Sequence, residues 1–438
     1  MLQVFKNALA LPDLRKRILF TVVVLVLYQL ATNVPVPGVD REVLKRLLAG
    51  EGAANALANI LNLLSGGALS NFSVLAMGVY PYITAQIIIQ LLAGVIPSLE
   101  RMLREEGTAG RKKLETYTFI FAIPMALLSA VGQIRIFSSS GQGDIIPGFG
   151  SDPLATAAVL ATMTAGTFFA IWLGQLITEQ GIGQGISIII FGGIVSRIPS
   201  NLQQLLADEA RAPIALAAFL IVIVLTVLVI VYVQEGERRI PVQYGKRVRG
   251  RRVFGGGSTF IPLKVNMSGM IPLIFAQSLL VLPAIIFQVL AGSDPNSFFA
   301  QLASAFSGGR HSLSWMYWLM MFLLVVGFTF FYTDVLMQQQ NMADTLQKQG
   351  GFIPGIRPGQ RTQEYIMAVS RRITLVGALF LGGIAVLPFF LTALELIPNA
   401  VNMSILSTGM LIVVGVVLDT IRQLEAQLTM RHYEGFLK

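Results

Sequence analysis

The sequence predicts an all-α polytopic membrane protein, with ten transmembrane helices arranged as two inverted halves of five. Three observations support this fold class. Of the 438 residues, 54% are hydrophobic and only 13% are charged, which is too little charge for the surface of a soluble protein of this size. Apolar runs of spanning length recur along the chain, and lysine and arginine are concentrated on one side of the predicted membrane.

The ten predicted spans are the apolar runs themselves. A helix rises about 1.5 Å per residue, so about 20 apolar residues are needed to cross a bilayer. The first run follows Arg15-Lys-Arg17, as in a signal peptide, but no convincing small-residue cleavage site follows and nine more runs do. We therefore interpret it as span 1. Two span boundaries are weak because a charged residue lies at them: Arg197 near the end of the fifth run and Glu395 just after the ninth. The runs cover residues 18–34, 74–96, 115–134, 154–177, 184–200, 213–233, 269–290, 313–337, 373–394 and 404–421.

The distribution of positive charge predicts the orientation. With ten spans, both termini lie on the same side, and that side collects 25 of the 32 lysines and arginines. Cytoplasmic loops of membrane proteins are enriched in these residues. Both termini are therefore predicted to be cytoplasmic, and a miscounted span would not give so uneven a division.

One apolar segment is too short to be a span. Residues 59–72 are apolar over barely two helical turns and are interrupted by Gly66 and Gly67. Such a segment can enter the membrane but cannot cross it, and non-helical backbone at that depth is tolerated only beside protein or water. The sequence therefore predicts a plugged or partly wet cavity.

Five spans per half require the halves to have opposite orientations, and the chain contains one sign of a repeat. We place the N-terminal half at residues 1–211 and the C-terminal half at residues 212–438. Span 2 opens with Gly78-Val-Tyr-Pro81 and span 7 with Gly269-Met-Ile-Pro272, and isoleucine follows two residues later in both. Matching Gly/Pro interruptions in two halves point to the functional pathway. The alternative is that glycine and proline are simply common in membrane helices.

Span 2 has a polar face next to an isoleucine stripe. Tyr82, Gln86 and Gln90 are spaced by four residues and share one helix face, which should look toward protein or a cavity because glutamine facing lipid is costly. Ile83 and Ile87 lie beside it, and Ile186 and Ile190 repeat the spacing in span 5. Isoleucine at this spacing is also typical of ordinary packed or lipid-facing positions.

Ionisable residues are almost absent from the interior of the spans. Asp334, Asp419 and Arg422 lie at cytoplasmic ends, and Glu395 lies near the outer one. Coupled transporters usually keep charged relays near the midplane. The pattern therefore favours a hydrophobic waist that excludes water and ions.

Enzymatic chemistry is disfavoured by composition. The chain has no cysteine, and its two histidines, His311 and His432, lie in a loop and in the tail, which disfavours metal, disulfide and nucleophile sites. Gly181-Ile-Gly-Gln-Gly185 does not have the spacing of a dinucleotide-binding loop, and no Walker-type motif occurs. We expect no cofactor and no metal, and any chemical energy has to come from a partner.

Two predicted cytoplasmic loops are larger than connectors need to be. Residues 234–265 carry eight cations, and the alternation around Tyr244-Gly245 suggests a small β-hairpin. Residues 338–372 contain Gly350–Gly359, whose prolines and glycines would hold Arg357 at an ordered tip. Basic loops commonly bind anionic lipid. The alternative is the docking of a large partner, either an RNA-rich particle or an acidic protein.

At this point four motifs resemble the SecY family, the central subunit of the bacterial protein-conducting channel. They occur in family order, and with the ten-span layout the resemblance covers essentially the whole chain. Gln184 departs from the asparagine common in the family, and no role depends on it. The motifs are Met77–Leu92, Gly181–Ile190, Gly236–Tyr244 and Gly355–Gly359.

The resemblance implies an hourglass pore between the halves, closed by a half-spanning plug helix at about residues 60–72. Spans 2, 3, 7 and 8 would frame a lateral gate to lipid, with polar contacts from Gln90 and Gln277. Six isoleucines would form the pore ring: Ile83, Ile87, Ile186, Ile190, Ile274 and Ile412. The plug would include Ile60, Leu61, Asn62, Leu63, Leu64, Ser65, Gly66, Gly67, Ala68 and Leu69.

The resemblance also implies partners. Arg238, Arg239, Arg247 and Arg357 would dock the ribosome or the SecA motor ATPase, and SecE and SecG would be further subunits in the cytoplasmic membrane. The expected function is a passive channel that passes unfolded polypeptides across the membrane and releases membrane segments sideways. Two rivals remain: a secondary transporter for a small solute, which needs a buried ionisable pair, and an intramembrane enzyme, which needs histidines within the spans.

Overall fold

A computed structural model of the chain confirms the predicted fold class. The structure describes residues 11–40, 42–44, 65, 68–104, 107–138, 145–206, 212–244, 247–249, 252–254, 257–291, 297–307, 314–340, 342–393 and 401–436. Each of the ten predicted runs coincides with a helix. In order these are Pro12–Ala31, Tyr80–Val95, Gly107–Ser138, Pro153–Gln180, Gly185–Leu206, Ala212–Glu235, Ile271–Ala291, Ser314–Gln340, Gln360–Ala393 and Val401–Phe436, called spans 1 to 10.

The helices differ in length from the apolar runs that predicted them. Span 2 becomes helical only at Tyr80, because residues 74–79 form turns, whereas span 9 begins 13 residues before its apolar run. Among the described residues, four stretches are long and apolar enough to cross a membrane by themselves: Lys112–Arg135, Pro153–Gln180, Trp315–Lys348 and Gln360–Leu387. Shorter apolar helices occupy Tyr80–Ala93, Gly185–Ser196, Ile223–Glu235 and Ile271–Phe287.

The openings of spans 2 and 7 have the same local structure. Gly78 and Gly269 both have positive φ, 52° and 64°, a conformation in which glycine is favoured because it has no Cβ. Each glycine lies two residues before the first helical residue, and proline follows at the second helical position, where a missing N–H costs nothing. The Ile83 and Ile274 amides both donate to the carbonyl four residues earlier. The motif that suggested an internal repeat therefore has one geometry at both places.

The two groups of five helices meet along two seams. On one side, span 7 packs against spans 2 and 3. On the other side, span 5 packs against spans 6 and 10. One hydrophobic core runs through both seams and includes residues from all ten spans, so the interior between the groups is filled by apolar side chains.

Besides the short helical stretch at residues 42–44, the described part of the chain has four shorter helical elements that were not predicted as separate elements. Helix Pro97–Arg104 packs against spans 2 and 3, and Phe298–Ser307 packs against spans 7 and 8. Both lie in connections that carry no spanning-length apolar run. The third is a 3₁₀ turn, Ala68–Asn71, within the predicted plug. The fourth, Met342–Lys348, belongs to the larger loops.

The two large loops fold together into one unit, which we call the loop domain. Strand β1 (Glu237–Tyr244) pairs antiparallel with β4 (Ser258–Lys264), and on its other edge with β5 (Gly351–Phe352) from the second loop. A smaller hairpin, β2 (Arg247–Arg249) with β3 (Arg252–Phe254), lies between β1 and β4. The predicted hairpin is thus present but larger than the segment around Tyr244-Gly245.

The loop domain has its own apolar core, separate from that of the spans. Side chains from β1 and β4 meet others from the end of span 8, helix Met342–Lys348 and the first turns of span 9. Because the domain draws strands from both loops, their relative position is fixed by packing. The core comprises Ile240, Val242, Leu263, Met337, Leu346, Ile353, Ile366 and Val369.

Candidate functional site at the waist between the halves

The six isoleucines predicted to form a ring lie in the interior. Five of them, Ile83, Ile87, Ile190, Ile274 and Ile412, are at most 6% exposed. Ile186 is half-buried and packs against the same core. They come from spans 2, 5, 7 and 10, which are the helices that form the two seams. All six therefore belong to, or pack against, the large apolar core that runs through both seams, and their arrangement as a ring stays a prediction.

The described part of the predicted plug lies in that same cluster. Ala68, Leu69 and Phe72 are fully buried, and they belong to the core that contains the isoleucines. Ser65 is also fully buried. Residues 60–64, 66 and 67 of the predicted plug lie outside the described residues. Apolar side chains at this position would add to the barrier that the isoleucines present to water.

The non-helical backbone around the plug makes hydrogen bonds within the protein. The Val36 amide donates to the Phe72 carbonyl at 3.1 Å, and the Val74 amide donates to the Val34 carbonyl at 2.9 Å. Between them, Pro35 and Ser73 form an isolated antiparallel bridge. Turns from Ala68 to Tyr80 satisfy further amides internally. The segment therefore meets the requirement for irregular backbone at membrane depth.

Span 1 and span 2 both contact the plug at Ser65. The Tyr28 hydroxyl donates to the Ser65 carbonyl oxygen at 2.8 Å, and both residues are buried. At Gly78, an added Cβ would lie 2.5 Å from Ser65 Cα. The sequence reasoning did not select Tyr28, because a tyrosine in an apolar run carries no pattern that distinguishes it from a packed aromatic residue.

The seam between spans 2, 3 and 7 is closed by direct contacts. The Tyr80 hydroxyl on span 2 donates to the Ser278 carbonyl oxygen on span 7 at 3.3 Å. Span 3 approaches span 7 so closely at Gly132 that a Cβ there would overlap the Ile285 side chain. Phe275 of span 7 stacks edge-to-face on Phe328 and Tyr332 of span 8. These contacts pack spans 2, 3, 7 and 8 together in the part of the chain that the structure describes.

Several polar side chains along this seam are buried without a partner in the described part of the chain. They include Oε1 of the predicted gate residues Gln90 and Gln277, together with Oγ of Ser278. Gln133 of span 3 is fully buried, and neither Nε2 nor Oε1 of its side chain has a hydrogen-bond partner among the described residues. An unpaired buried amide costs about 1–3 kcal/mol, so this seam is less stable than an all-apolar one. The sequence did not single out Gln133, because one glutamine in a largely apolar run forms no periodic pattern.

The predicted docking arginines lie on the loop domain. Arg238, Arg239 and Arg357 are exposed. Arg239 pairs with Glu237 at 2.7 Å and stacks 4.7 Å above the Phe260 ring. Arg247 is in β2, and its side chain lies outside the described residues. Because β5 joins β1, the two loops that carry these arginines belong to one folded unit.

A charged cluster joins the end of span 6, directly before the loop domain, to span 10. Arg422 donates to the Gln234 carbonyl oxygen at 3.2 Å and to Glu235 Oε1 at 2.8 Å, at the end of span 6. Lys264, the last residue of β4, lies near it, and burial followed by the Arg422 charge lowers the pKa of this lysine. A second pair, Arg371 with Asp334 at 3.0 Å, joins spans 9 and 8. Within the described residues, no group of acidic or histidine side chains could hold a metal ion.

Comparison with known proteins identifies relatives over the whole chain. The sequence model of the SecY family matches residues 73–421. A protein translocase subunit SecY from Mycobacterium bovis is 42% identical over 448 residues, covering 100% of both chains. One from Thermotoga maritima is 42% identical over 445 residues, covering 100% of this chain and 98% of the relative.

Solved structures share the fold. A SecY structure that was described for the role of its plug domain in stabilising the closed channel has a TM-score of 0.63 and 20% identity, covering 94% of this chain and 92% of that one. Sec61 from a canine ribosome–channel complex has a TM-score of 0.61 and 17% identity, with the same coverage. At these identities the similarity establishes the fold alone.

The close approach at Gly132 gives a stability prediction. Gly132→Ala adds a methyl group that forces Ile285 to move and separates spans 3 and 7, at a cost of about 1–3 kcal/mol. The thermal unfolding midpoint of the purified protein should therefore fall. Gly383→Ala in span 9 is the matched control, since a Cβ there meets nothing within 4 Å and alanine favours helix. Equal midpoints for the two variants would contradict the tight packing of this seam.

Proposed function

The chain belongs to the SecY family of protein translocase subunits, and from this premise we propose how its own residues form and gate a polypeptide channel. It is a multi-pass membrane channel subunit and not an enzyme. The observation that carries the proposal is the single apolar cluster in which the six isoleucines and the described plug residues lie between the two halves.

An apolar ring suits a substrate without fixed shape or charge. An unfolded chain presents every side chain in turn, so a site with specific charges or hydrogen bonds would bind some segments and arrest them. Branched aliphatic side chains can contact any segment through weak dispersion forces. When no chain is present, the same side chains and the plug exclude water and ions.

We assign the lateral gate to the seam of spans 2 and 3 against span 7, with span 8 behind it. The described contacts across the seam include one hydrogen bond, from Tyr80 to Ser278, and buried amide atoms without described partners occur in Gln90 (Oε1), Gln133 (both atoms) and Gln277 (Oε1). A seam of this kind is expected to part at low cost when an apolar signal segment enters. Such a segment prefers lipid to the channel interior and leaves sideways.

We place the partners on the loop domain. Arg238, Arg239 and Arg357 are exposed on the loop domain and suit phosphate-rich or acidic partners, which we propose to be the ribosome and the SecA motor. The Sec61 relative of known structure was solved in a ribosome–channel complex. SecE and SecG are the proposed companion subunits. The charge asymmetry of the sequence supports cytoplasmic termini and a bacterial cytoplasmic membrane.

The secondary-transporter alternative has no support from the relatives and structures named above, which are translocase subunits and protein channels. Such a transporter would need a charged pair near the midplane. The described ion pairs, Arg239–Glu237, Arg371–Asp334 and those of Arg422, lie in the loop domain or at the span ends next to it.

The ring assignment predicts that polarity at the waist relaxes gating. Ile190→Asn buries an amide in the apolar cluster at a cost of about 1–3 kcal/mol unless water enters, so the closed state is weakened. Export of a precursor with a defective signal sequence should increase in cells that carry this variant. Ile190→Val keeps an apolar branched side chain and should export only normal precursors. Unchanged signal selectivity in the asparagine variant would remove the case for the ring.

If Arg357 docks a partner, reversing the charge of its side chain should reduce export. Arg357→Glu should abolish motor-driven export while the purified protein keeps its unfolding midpoint, because the side chain is exposed and supports no described packing. Arg361→Glu makes the same charge change four residues away in sequence, at another exposed position, and should retain most export. Normal export by the Arg357 variant in reconstituted vesicles would refute a docking role for this residue.

A further inference from the structure

We propose that Tyr28 of span 1 and Gly78 at the start of span 2 form a seat that holds the plug closed through the backbone at Ser65. This inference rests on the proposed channel function and adds the residues that position the plug. Two contacts of different kinds meet at one plug residue. Tyr28 supplies a hydrogen bond, and Gly78 supplies the space.

The Tyr28 contact is a buried polar bond in an apolar setting. Its hydroxyl donates to the Ser65 carbonyl oxygen at 2.8 Å, and the tyrosine is 1% exposed. Tyr28 belongs to the same apolar core as Val24, Leu69 and Phe72. A buried phenol that has found a partner is stabilised relative to one without. When Ser65 moves away, Tyr28 loses this partner, so the bond favours the closed position.

The Gly78 contact depends on the absence of a side chain. A Cβ at this position would lie 2.5 Å from Ser65 Cα and 3.2 Å from its carbonyl carbon, which is closer than real Cβ atoms approach backbone. The plug backbone therefore rests directly against the turn that begins span 2. The C-terminal end of the plug is held separately by the hydrogen bonds of Phe72 and Val74 with Val36 and Val34. Ser65 is thus held by contacts other than those that hold residues 72–74.

The chain offers a matched control for each contact. Tyr317 on span 8 is a buried phenol in the same core, 4% exposed, and it does not contact Ser65 in the described structure. Gly269, the counterpart of Gly78 at the start of span 7, has the same positive φ but nothing within 4 Å of its Cβ position. Alanine at either glycine strains the backbone equally, and only alanine at position 78 meets the plug.

The test uses the complete translocase in vesicles and exploits the absence of cysteine. A single cysteine is placed at Leu69, and its labelling by a membrane-impermeant maleimide from the outer side is timed together with the resting ion leak. Tyr28→Phe should raise both rates about two- to tenfold, the effect of one net hydrogen bond on an equilibrium constant. Tyr317→Phe should leave both unchanged, and the unfolding midpoint of the Tyr28 variant should stay near that of the parent.

Gly78→Ala should also raise the labelling rate and the ion leak, whereas Gly269→Ala should leave both unchanged. If Tyr28→Phe and Gly78→Ala both behave like the parent while Ile190→Asn raises the leak, the seat is refuted and the channel remains. If no variant alters the leak and the parent vesicles translocate no precursor, the proposed function itself fails.

Discussion

Irregular backbone inside a membrane must find its hydrogen-bond partners within the protein, and this requirement determines the centre of the molecule. The segment from Ala68 to Tyr80 is neither a spanning helix nor a surface loop. Its amides and carbonyls bond to its own turns and to Val34 and Val36 after span 1. Those partners all belong to the N-terminal half, whereas the apolar side chains of the segment join the core that both halves share.

The apolar core at the waist follows from that placement. Ala68, Leu69 and Phe72 carry no polar group that could line a wet channel, and they pack into the cluster that holds the six isoleucines. Glycines make the approach possible: Gly166 lies against the Val74 backbone and Gly78 against Ser65. The predicted plug residues and the predicted ring residues therefore draw on the same apolar core as the seam, and a change in one is expected to alter the others.

The sequence predicted the helices, but few of the contacts between them. The six-isoleucine ring came from the family resemblance and stays a prediction. Span number was predictable, because hydropathy is a local property of the chain. The joining of both loops through β5 was not, since Gly351-Phe352 is too short to carry a strand pattern. Tyr28, Tyr80 and Gln133 were also missed, because their importance depends on Ser65, Ser278 and a buried seam that lie far from them in sequence.

The central claim is that an extended polypeptide passes between the two halves at the isoleucine cluster. In the cysteine-free chain, single cysteines at Ile274 in the cluster and at Ile221 on the exposed face of span 6, 65% accessible, can be compared directly. A precursor stalled during translocation and carrying a thiol-reactive group in its extended region should cross-link to position 274 and not to position 221. Cross-linking at position 221 with none at position 274 would place the path outside the waist and contradict the account.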